Sequence, residues 1–420
     1  MKKEINASII TIGDELLIGQ TIDTNSAFIG QELNKLGIWV KRRIAIGDVT
    51  KDILDTLKAQ SKENDLIIIT GGLGPTADDI TKPALCEYFG ANMIVNEDAE
   101  ENVKSIFTKV NRPITSVNLK QAEVPDNCMV LQNKRGTAPG MWFEKEGVVY
   151  ISLPGVPNEM KGLILDSVIE KLKEKFETPF ILHKTLLTAG IGESNLAEHI
   201  EVIEAQLPAH IKLAYLPSYG MVKLRLTGKG NAEAELTKEM EGYFSDLKNK
   251  VSEWLVIDED KTIEEVIAII LKEKGKFVGS AESCTGGYIA HLLTKNPGSS
   301  SIFKGGVVSY ANEAKENILK VQPHTLASFG AVSRETVKEM VSGVLALMNV
   351  DYAVATSGIM GPDGGSKEKP VGTVWIAVGT KNNIKTLPYF VRFDRPTNIA
   401  LTARTALNEL RKFILEEEKD

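Results

Sequence analysis

The 420-residue sequence has few of the features that mark extracellular, metal-thiolate or membrane proteins. It contains three cysteines, Cys86, Cys128 and Cys284, which lie far apart and form no CxxC pair, so neither a disulfide framework nor a thiolate zinc site is indicated. No apolar run reaches the roughly 20 residues that cross a bilayer. The opening segment MKKEINASIITIG predicts a first strand rather than a signal peptide. We therefore expect a cytoplasmic protein with no membrane partner.

A basic excess is also missing. Lys and Arg number 49 against 56 Asp and Glu, for a net charge of -7. Affinity for a phosphate backbone comes from clustered Lys and Arg, so nucleic acid is not an expected partner. Hydrophobic residues at 43% and charged residues at 25% are ordinary globular values. The length predicts two or three domains.

Strand-like and helix-like patterns divide the chain into three blocks. Residues 1–172 alternate short β-rich runs with periodic helical segments, which predicts a doubly wound α/β/α domain with a parallel sheet. Its apolar run LIIIT (Leu66–Thr70) is typical of a central strand buried on both faces, and a polar helix is predicted over Asn25–Leu36. Residues 173–255 predict a small α+β domain. Residues 256–420 alternate again and predict a second α/β/α domain, so the fold class is α/β.

The sharpest chemical motif is KFVGSAESCTGG, where a predicted strand ends in a polar, glycine-containing turn that opens a helix near Gly286. Ser283, Thr285 and the backbone amides of the turn would converge at the helix N-terminus, where anions and developing oxyanions are stabilised. The alternative is that Ser283 and Thr285 only cap the helix.

Two further segments strengthen the chemical interpretation. VVSYANEAK places Tyr310 at a strand end and Lys315 in the next helix. A lysine can activate a serine only if its pKa falls toward neutrality, and Tyr310 could relay the proton or hold the amine. The alternative is a packed tyrosine and a solvated lysine. A third strand ends in Thr356, Ser357 and Gly358 before a glycine-rich loop, which is a common position for ligand contacts.

Cys284, beside Ser283, is an alternative nucleophile. An activated cysteine needs a partner base, and neither His291 nor His324 has a recognisable motif context. Serine is therefore the favoured nucleophile.

In their order and spacing, AESCTGG, SYANEAK and ATSGIMGPDGGSKEKPVGTVW resemble the C-terminal domain of the competence- and damage-inducible CinA family. The resemblance implies hydrolysis of the carboxamide of nicotinamide mononucleotide to nicotinate mononucleotide and ammonia, in pyridine-nucleotide salvage and without a cofactor. It implies Ser283 as nucleophile, with Lys315 and Tyr310 as proton-transfer partners. The implied substrate-binding residues are Thr285, Gly286, Gly287, Asn312, Thr356, Ser357, Gly358, Gly364, Gly365 and Arg395.

The N-terminal block has its own constellation. GDELLIGQTIDTNS places Asp14 and Glu15 after the first strand, and IIITGGLGPTADD places glycines, a threonine, Asp78 and Asp79 after another. Carboxylates beside glycine-rich turns suit a hydrated divalent cation that carries phosphates. The alternative is N-capping of the following helix by Asp78 or Asp79.

With LPGVPNEM, these segments resemble the molybdopterin-binding-like N-terminal domain of the same family. The resemblance implies metal-dependent hydrolysis of the pyrophosphate of ADP-ribose, with a divalent ion of the Mg, Mn or Co class. The implied metal ligands are Asp14, Glu15 and Asp78. The implied ligand-loop residues are Gly71, Gly72, Thr76, Asp79, Gly155 and Glu159.

The middle block resembles the KH-like domain of full-length family members. KH modules clamp nucleic acid with a GXXG loop, whereas TAGIGESNL separates Gly190 and Gly192 by one residue. We interpret this block as a spacer or dimerisation domain and expect a homodimer.

Functions from other classes remain as alternatives. A molybdopterin-binding or cofactor-biosynthesis module without deamidase activity fits the N-terminal block. A redox enzyme is suggested by Tyr310 and Lys315, but the dehydrogenase pair is separated by three residues rather than four, and no GxGxxG follows a predicted strand. A role in DNA uptake has no basic or aromatic signature.

Overall fold

The computed structural model describes residues 3–76 and 79–417. The chain divides into two compact units. The first comprises Met1–Leu182 with Gly228–Lys238, and the second comprises His183–Thr227 with Glu239–Asp420. Within the described ranges, every helix is too short or too polar to span a bilayer.

The first unit contains eight strands and eight α-helices among its described residues up to Lys175. The strands are β1 (Asn6–Ile12), β2 (Trp39–Ile46), β3 (Leu66–Thr70), β4 (Met93–Val95), β5 (Glu123–Pro125), β6 (Met129–Leu131), β7 (Gly140–Lys145) and β8 (Val148–Leu153). The helices are α1 (Asp14–Leu17), α2 (Thr24–Lys35), α3 (Thr50–Gln60), α4 (Thr81–Phe89), α5 (Glu97–Lys109), α6 (Ser116–Leu119), α7 (Pro157–Leu163) and α8 (Ile169–Lys175). A 3-10 turn occupies Lys120–Ala122, and a π-helical turn at Ile164–Val168 joins α7 to α8.

The main sheet of this unit has the order β2-β1-β3-β8-β7-β6. Its first four strands are parallel, as predicted, whereas β7 and β6 add an antiparallel edge that the sequence pattern did not predict. Strand β3 is buried along its whole length because alternate side chains enter two different cores. Helix α2 begins at Thr24, one residue before the prediction, because the Asp23 carboxylate caps it by accepting from the Ser26 amide at 2.9 Å.

The rest of the chain forms nine strands and eight α-helices among its described residues. The strands are β9 (Phe180–Ala189), β10 (Ile211–Ser218), β11 (Met221–Gly230), β12 (Leu255–Ile257), β13 (Val278–Glu282), β14 (Phe303–Val308), β15 (Tyr352–Gly358), β16 (Thr373–Gly379) and β17 (Ile384–Phe390). The helices are α9 (Glu193–Ala205), α10 (Glu233–Lys250), α11 (Ile263–Lys274), α12 (Tyr288–Thr294), α13 (Asn312–Asn317), α14 (Pro323–Phe329), α15 (Arg334–Met348) and α16 (Arg395–Glu416). A 3-10 turn occupies Ser299–Ser301.

Two sheets organise these elements. One has the order β10-β11-β9-β12, and the other has the order β14-β13-β15-β16-β17. Strands β14, β13 and β15 are parallel, so their carboxyl ends meet at one edge, while β16 and β17 are antiparallel to their neighbours. The predicted α/β class is confirmed, and the parallel edge of the second sheet positions the site described below.

Separate cores cover the two faces of the five-stranded sheet. One of them continues into the four-stranded sheet, because Leu187 of β9 and Met221 of β11 belong to the same cluster as Ile376 of β16 and Leu410 of α16. Within the second unit, the two sheets are therefore joined by shared apolar packing.

Candidate active site

Ser283 lies immediately after β13, at the carboxyl edge of the five-stranded sheet. Its amide donates to the carbonyl of Thr356 at 3.0 Å, which ties it to the end of the neighbouring strand β15. Its own carbonyl accepts from the Gly286 amide at 3.2 Å, and positive φ angles at Gly286 and Gly287 turn the chain into α12. The strand, turn and helix were predicted together, and they hold the Ser283 hydroxyl in a fixed, largely buried position.

The side chain of Lys315 reaches Ser283 from α13. Its Nζ lies 3.1 Å from Ser283 Oγ and donates to the carbonyls of Ser309 at 2.7 Å and Tyr310 at 3.2 Å. Only 1% of Lys315 is exposed, and burial lowers the pKa of its amine below the ordinary value. The alternative of a solvated lysine is therefore wrong.

The contacts of Lys315 suit a neutral amine. A neutral amine has two N–H groups and one lone pair, and the two carbonyls accept the two N–H groups. The remaining direction faces the hydroxyl of Ser283, which can then donate to the lone pair. Lys315 is thus placed to act as a base toward Ser283.

Tyr310 does not take the position expected for a proton relay. The residue is 62% exposed, and its hydroxyl accepts from Arg395 at 2.9 Å. Lys315 contacts the backbone carbonyl of Tyr310, and no described contact joins the hydroxyl to Ser283. Arg395 also donates to the carbonyl of Gly361 at 2.8 Å, so the two side chains form one rim of the site.

Glu282, which the sequence analysis did not single out, organises the turn. Its buried carboxylate accepts from the amides of Gly287, Ile289 and Ala290 at 3.1, 2.9 and 2.8 Å. It also accepts from the Thr285 hydroxyl at 2.7 Å. These three amides are therefore satisfied by Glu282, and the amide of Tyr288 donates to the Thr285 carbonyl at 3.0 Å. Neither the predicted oxyanion contact nor side-chain capping by Ser283 or Thr285 uses the start of α12. The sequence feature that could have revealed this role is an acidic residue directly before the predicted nucleophile.

Thr285 and Thr356 are held behind the site rather than facing a substrate. The Thr285 hydroxyl donates to Glu282, so in its 2.7 Å contact with Thr356 Oγ1 it must accept. Both residues are almost fully buried. The chain Thr356 to Thr285 to Glu282 links β15 to β13 beside Ser283.

The cleft at this edge has a volume of about 250 Å³. It is lined by Ser283, Cys284, Tyr310, Lys315, Ala331, Val332, Ser357, Gly358, Ile359, Met360, Asp363 and Arg395. Six of the predicted residues, Ser283, Tyr310, Lys315, Ser357, Gly358 and Arg395, are thus brought together. The predicted contacts Thr285, Gly286, Gly287, Asn312, Thr356, Gly364 and Gly365 are not part of this lining. Asp363, the one carboxylate of the lining, belongs to the DGG segment of the glycine-rich loop that the family resemblance places at the nucleotide.

Cys284 also borders the cleft. Burial raises the pKa of its thiol to about 12, so near neutral pH the residue is a protonated and weakly nucleophilic thiol. Neither His291 nor His324 lines the cleft. The geometry therefore favours Ser283 over Cys284.

The first unit brings two predicted glycine turns together at the carboxyl ends of β3 and β8. A Cβ atom on Gly71 would stand 2.1 Å from the carbonyl oxygen of Ile12, so only glycine fits. A Cβ atom on Gly155 would lie 3.4 Å from Gly71 Cα, so the turns are neighbours. Asn25, which was missed, donates to the Gly155 carbonyl at 2.7 Å, while its buried Oδ1 has no hydrogen-bond partner among the described residues.

Carboxylates gather beside these turns. The amide of Asp14 donates to Asp48 at 3.2 Å, and the amide of Asp48 donates to Asp14 at 3.3 Å. Burial raises the pKa of Asp48, and the nearby charges of Asp14, Glu15 and Asp79 raise it further. Asp48 was missed, because one sequence does not show which strand ends meet. The predicted ligand Asp78 lies outside the described residues.

The predicted metal stays a prediction, because one of its three expected ligands, Asp78, lies outside the described residues. Within 3–76 and 79–417, no three His, Cys, Asp or Glu side chains are arranged to hold an ion. The carboxylates of Asp14 and Asp48 instead accept from backbone amides. We derive no metal-dependent step from this arrangement.

Three other predicted residues of this unit have local partners. Asp79 accepts from the amide of Thr76 at 3.0 Å and does not cap α4, whose cap position is Ile80 without a side-chain hydrogen bond. Glu159 accepts from Asn133 at 2.6 Å, and burial raises the pKa of its carboxyl. The contacts of Thr76, Asp79 and Glu159 thus hold loops together.

Three family models match successive parts of the chain. They are the probable molybdopterin binding domain over residues 8–174, the damage-inducible protein CinA KH domain over residues 183–255 and the CinA C-terminal domain over residues 260–414. The predicted resemblance in all three blocks is thereby confirmed.

Individual relatives match over the whole length. A CinA-like protein of Cytophaga hutchinsonii is 45% identical over 416 residues, which cover 99% of this chain and 100% of that protein. A CinA-like protein of Flavobacterium psychrophilum is 46% identical over 98% of both chains. The solved structure of a CinA superfamily protein from Klebsiella pneumoniae is 35% identical, with a TM-score of 0.36, and covers 37% of this chain and 99% of its own. Because these relatives are 45–46% identical and match essentially from end to end, the chain belongs to the CinA family.

Proposed function

We propose that the second unit hydrolyses a carboxamide and that its substrate is nicotinamide mononucleotide. The observation that carries this proposal is the buried Nζ of Lys315 at 3.1 Å from Ser283 Oγ, inside a cleft at the sheet edge. Membership of the CinA family and the matched C-terminal domain support it.

The first half of the proposed reaction forms an ester. Neutral Lys315 accepts the hydroxyl proton as Ser283 Oγ attacks the carboxamide carbon. The tetrahedral intermediate collapses when the Lys315 ammonium returns its proton to the leaving nitrogen. The C–N bond breaks, ammonia leaves, and Ser283 carries the acyl group.

The second half restores the enzyme. Lys315, neutral again, takes a proton from a water molecule that attacks the ester carbon. Ser283 Oγ leaves and regains the proton from Lys315. The product is the pyridine carboxylate, so one water is consumed and one ammonia is released.

The oxyanion of each intermediate needs donors other than the start of α12, because Glu282 takes those amides. In the turn itself, the amides of Cys284 and Thr285 make no backbone hydrogen bond to a described residue outside the turn. We assign them as the proposed donors, since an amide next to the nucleophile is close to the developing charge.

The rim of the cleft suits the rest of the nucleotide. Arg395 uses two of its five N–H donors on Gly361 and Tyr310, which leaves donors for a phosphate. Asp363 lines the same cleft and is the proposed acceptor for ribose hydroxyls. Tyr310 thereby positions Arg395 instead of moving a proton.

The proposal is tested by identifying which bond of nicotinamide mononucleotide the protein breaks. The purified protein is incubated with nicotinamide mononucleotide, and the products are separated by chromatography. Nicotinate mononucleotide and ammonia in equal amounts are expected. Three results would contradict the proposal. Free nicotinamide would mean that the glycosidic bond breaks, and the riboside would mean that the phosphate is removed. Unchanged substrate would mean that the protein does not act on this nucleotide.

For the first unit, ADP-ribose pyrophosphatase activity stays a proposal, favoured by the adjacent turns of Gly71 and Gly155 and by the carboxylates of Asp14 and Asp48. AMP release from ADP-ribose with added Mg²⁺, Mn²⁺ or Co²⁺ tests it. Loss of release in Asp48→Asn, with Asp65→Asn as a control outside the cluster, is expected. Release that is absent with all three ions would leave the alternative of a molybdopterin-binding module, which a pterin-binding assay addresses.

A further inference from the structure

A second cavity of about 390 Å³ lies in the second unit, apart from the Ser283 cleft, and shares no lining residue with it. It is formed by two turns of the four-stranded sheet, by strands β16 and β17, and by the middle of α16. We call it the α16 cavity. Its lining residues are Ala189, Gly190, Ile191, Gly192, Tyr219, Gly220, Met221, Ile376, Leu387, Pro388, Tyr389, Thr405, Asn408, Glu409 and Lys412. Its volume is that of an ordinary small-ligand site.

Apolar groups dominate the cavity. Met221 and Ile376 are almost fully buried in its floor, and Leu387, Pro388 and Tyr389 of the edge strand β17 contribute a wall. A wall with an aromatic and a proline ring suits a flat ring, because such surfaces stack without needing hydrogen bonds. The apolar surface thus favours a planar ligand.

One buried polar group breaks this apolar surface. Asn408 is 5% exposed, and its Oδ1 accepts from Arg411 Nε at 3.2 Å. Arginine can only donate, so this contact fixes the orientation of the amide and turns Nδ2 away from Arg411. No described residue accepts from Nδ2, and Asn408 lines the cavity. An amide donor that faces a cavity and has no partner among the described residues is free for a ligand, so a hydrogen-bond acceptor is favourable at this point.

The charged residues at the cavity cancel. Glu409 and Lys412 form an ion pair at 2.9 Å on neighbouring turns of α16. The lining therefore offers no net charge to a phosphate or an ammonium group. A neutral ligand is favoured over a nucleotide.

We propose that the α16 cavity binds a neutral, flat heteroaromatic ligand of nucleoside size that accepts a hydrogen bond from Asn408 Nδ2. The glycine-containing turn at Gly190–Gly192, which departs from the KH pattern, then has a function as one wall of this site. This inference is independent of the proposed hydrolysis at Ser283.

Two variants change the cavity in different ways. Asn408→Asp keeps the acceptor for Arg411 and removes the Nδ2 donor. Gly192→Leu fills the space above the turn. Gly192 has φ -76° and ψ 153°, which any residue adopts, and an added Cβ meets nothing within 4 Å. The matched control is Gly242→Leu on α10, where an added Cβ also meets nothing within 4 Å.

Adenosine and uridine serve as probes in isothermal titration of the full chain, carried out in the Ser283→Ala background. Saturable binding of at least one probe is expected, with about tenfold weaker binding in Asn408→Asp, as for the loss of one hydrogen bond. Binding should disappear in Gly192→Leu and stay unchanged in Gly242→Leu. Melting temperatures of all variants show whether each remains folded.

Three outcomes would overturn the inference. The first is that neither probe binds the parent protein. The second is that Asn408→Asp and Gly192→Leu bind the probe as tightly as the parent protein does. The third is that excess nicotinamide mononucleotide displaces the probe. The last would place the probe in the Ser283 cleft. If the hydrolysis proposal failed, the interpretation of these binding results would stay the same.

Discussion

At the scale of single residues, the proposed chemistry depends on an uncharged Lys315. Replacement by arginine keeps a long side chain with N–H donors but removes the base, because a guanidinium stays protonated. We expect Lys315→Arg and Lys315→Met to lower kcat by about 10²–10⁴, the usual contribution of a general base. Ammonia release measures this loss. Activity in Lys315→Arg within a factor of two of the wild type would mean that another group takes the Ser283 proton.

The pH dependence follows from the same residue. Burial lowers the pKa of Lys315 below its ordinary value of 10.5, so the folded enzyme is active above that lowered pKa and inactive below it. We expect kcat/KM to rise with pH through the folded pKa. Between the folded and unfolded pKa values, the unfolded chain binds more protons, so this group also makes stability rise with pH there. A flat profile below pH 10 would contradict a lysine base.

Glu282 is expected to act by positioning. Glu282→Gln leaves one acceptor and introduces an N–H group opposite the amides of Gly287, Ile289 and Ala290. Because Glu282 is not part of the cleft lining, we predict a fall in kcat of at least about tenfold with KM changed less than twofold, as for the loss of one or two hydrogen bonds.

Thr285→Val, which removes only the hydroxyl between Glu282 and Thr356, provides the milder companion variant. It should also lower kcat, by a smaller factor than Glu282→Gln does, and should leave KM nearly unchanged. If Glu282→Gln unfolds, as its melting curve would reveal, Thr285→Val carries the test. A rise in KM with unchanged kcat in either variant would mean a substrate contact instead.

The sequence was informative at Ser283 and Lys315 because nucleophile and base follow predictable strand ends. It did not reveal Glu282 or Asp48, since the direction of a side chain after a strand depends on tertiary contacts. The same limit explains Thr285 and Thr356, which were expected at the substrate but are buried behind the turn. Residue type and spacing indicated a serine and a lysine at neighbouring strand ends, the family resemblance implied the reaction, and packing decided which hydroxyl faces the cleft.

At the scale of elements, close packing of α15 reverses the effect on stability that replacing a helical glycine by alanine usually has. Alanine in a helix interior is ordinarily favoured over glycine by about 1 kcal/mol. A Cβ on Gly343, however, would stand 2.1 Å from the carbonyl oxygen of Leu319. We expect Gly343→Ala to destabilise the protein by about 1–3 kcal/mol, as overpacking does.

Gly242→Ala on α10 is the matched control, because nothing lies within 4 Å of the added methyl. It should stabilise by about 0.5–1 kcal/mol. Thermal unfolding compares the two directly. A melting temperature raised by both substitutions would show that α15 can move away from Leu319.

Element type was predictable where periodicity was strong, as in β3 and α2. The antiparallel edges β7–β6 and β16–β17 were not predicted, because alternation of strands and helices indicates parallel crossovers and does not show where a chain adds a hairpin. The second of these edges contributes to the α16 cavity, since residues of β16 and β17 line it.

At the scale of the whole molecule, the two units carry separate candidate sites. The second unit joins two sheets through a common core that includes Leu187 and Met221, so the CinA C-terminal domain is packed on the KH domain. Dividing a sequence into domains does not predict that two domains share a core, because the apolar faces of the two domains have similar sequence patterns. The homodimer expected from the family resemblance stays a prediction, which sedimentation of the full chain can test.

The most direct test of the central claim is ammonia release from nicotinamide mononucleotide by the wild type, Ser283→Ala and Cys284→Ala, each with and without EDTA. The account predicts release by the wild type and by Cys284→Ala, no release by Ser283→Ala, and no effect of EDTA. Release that persists in Ser283→Ala, or that EDTA abolishes in the wild type, would contradict a serine–lysine carboxamide hydrolase.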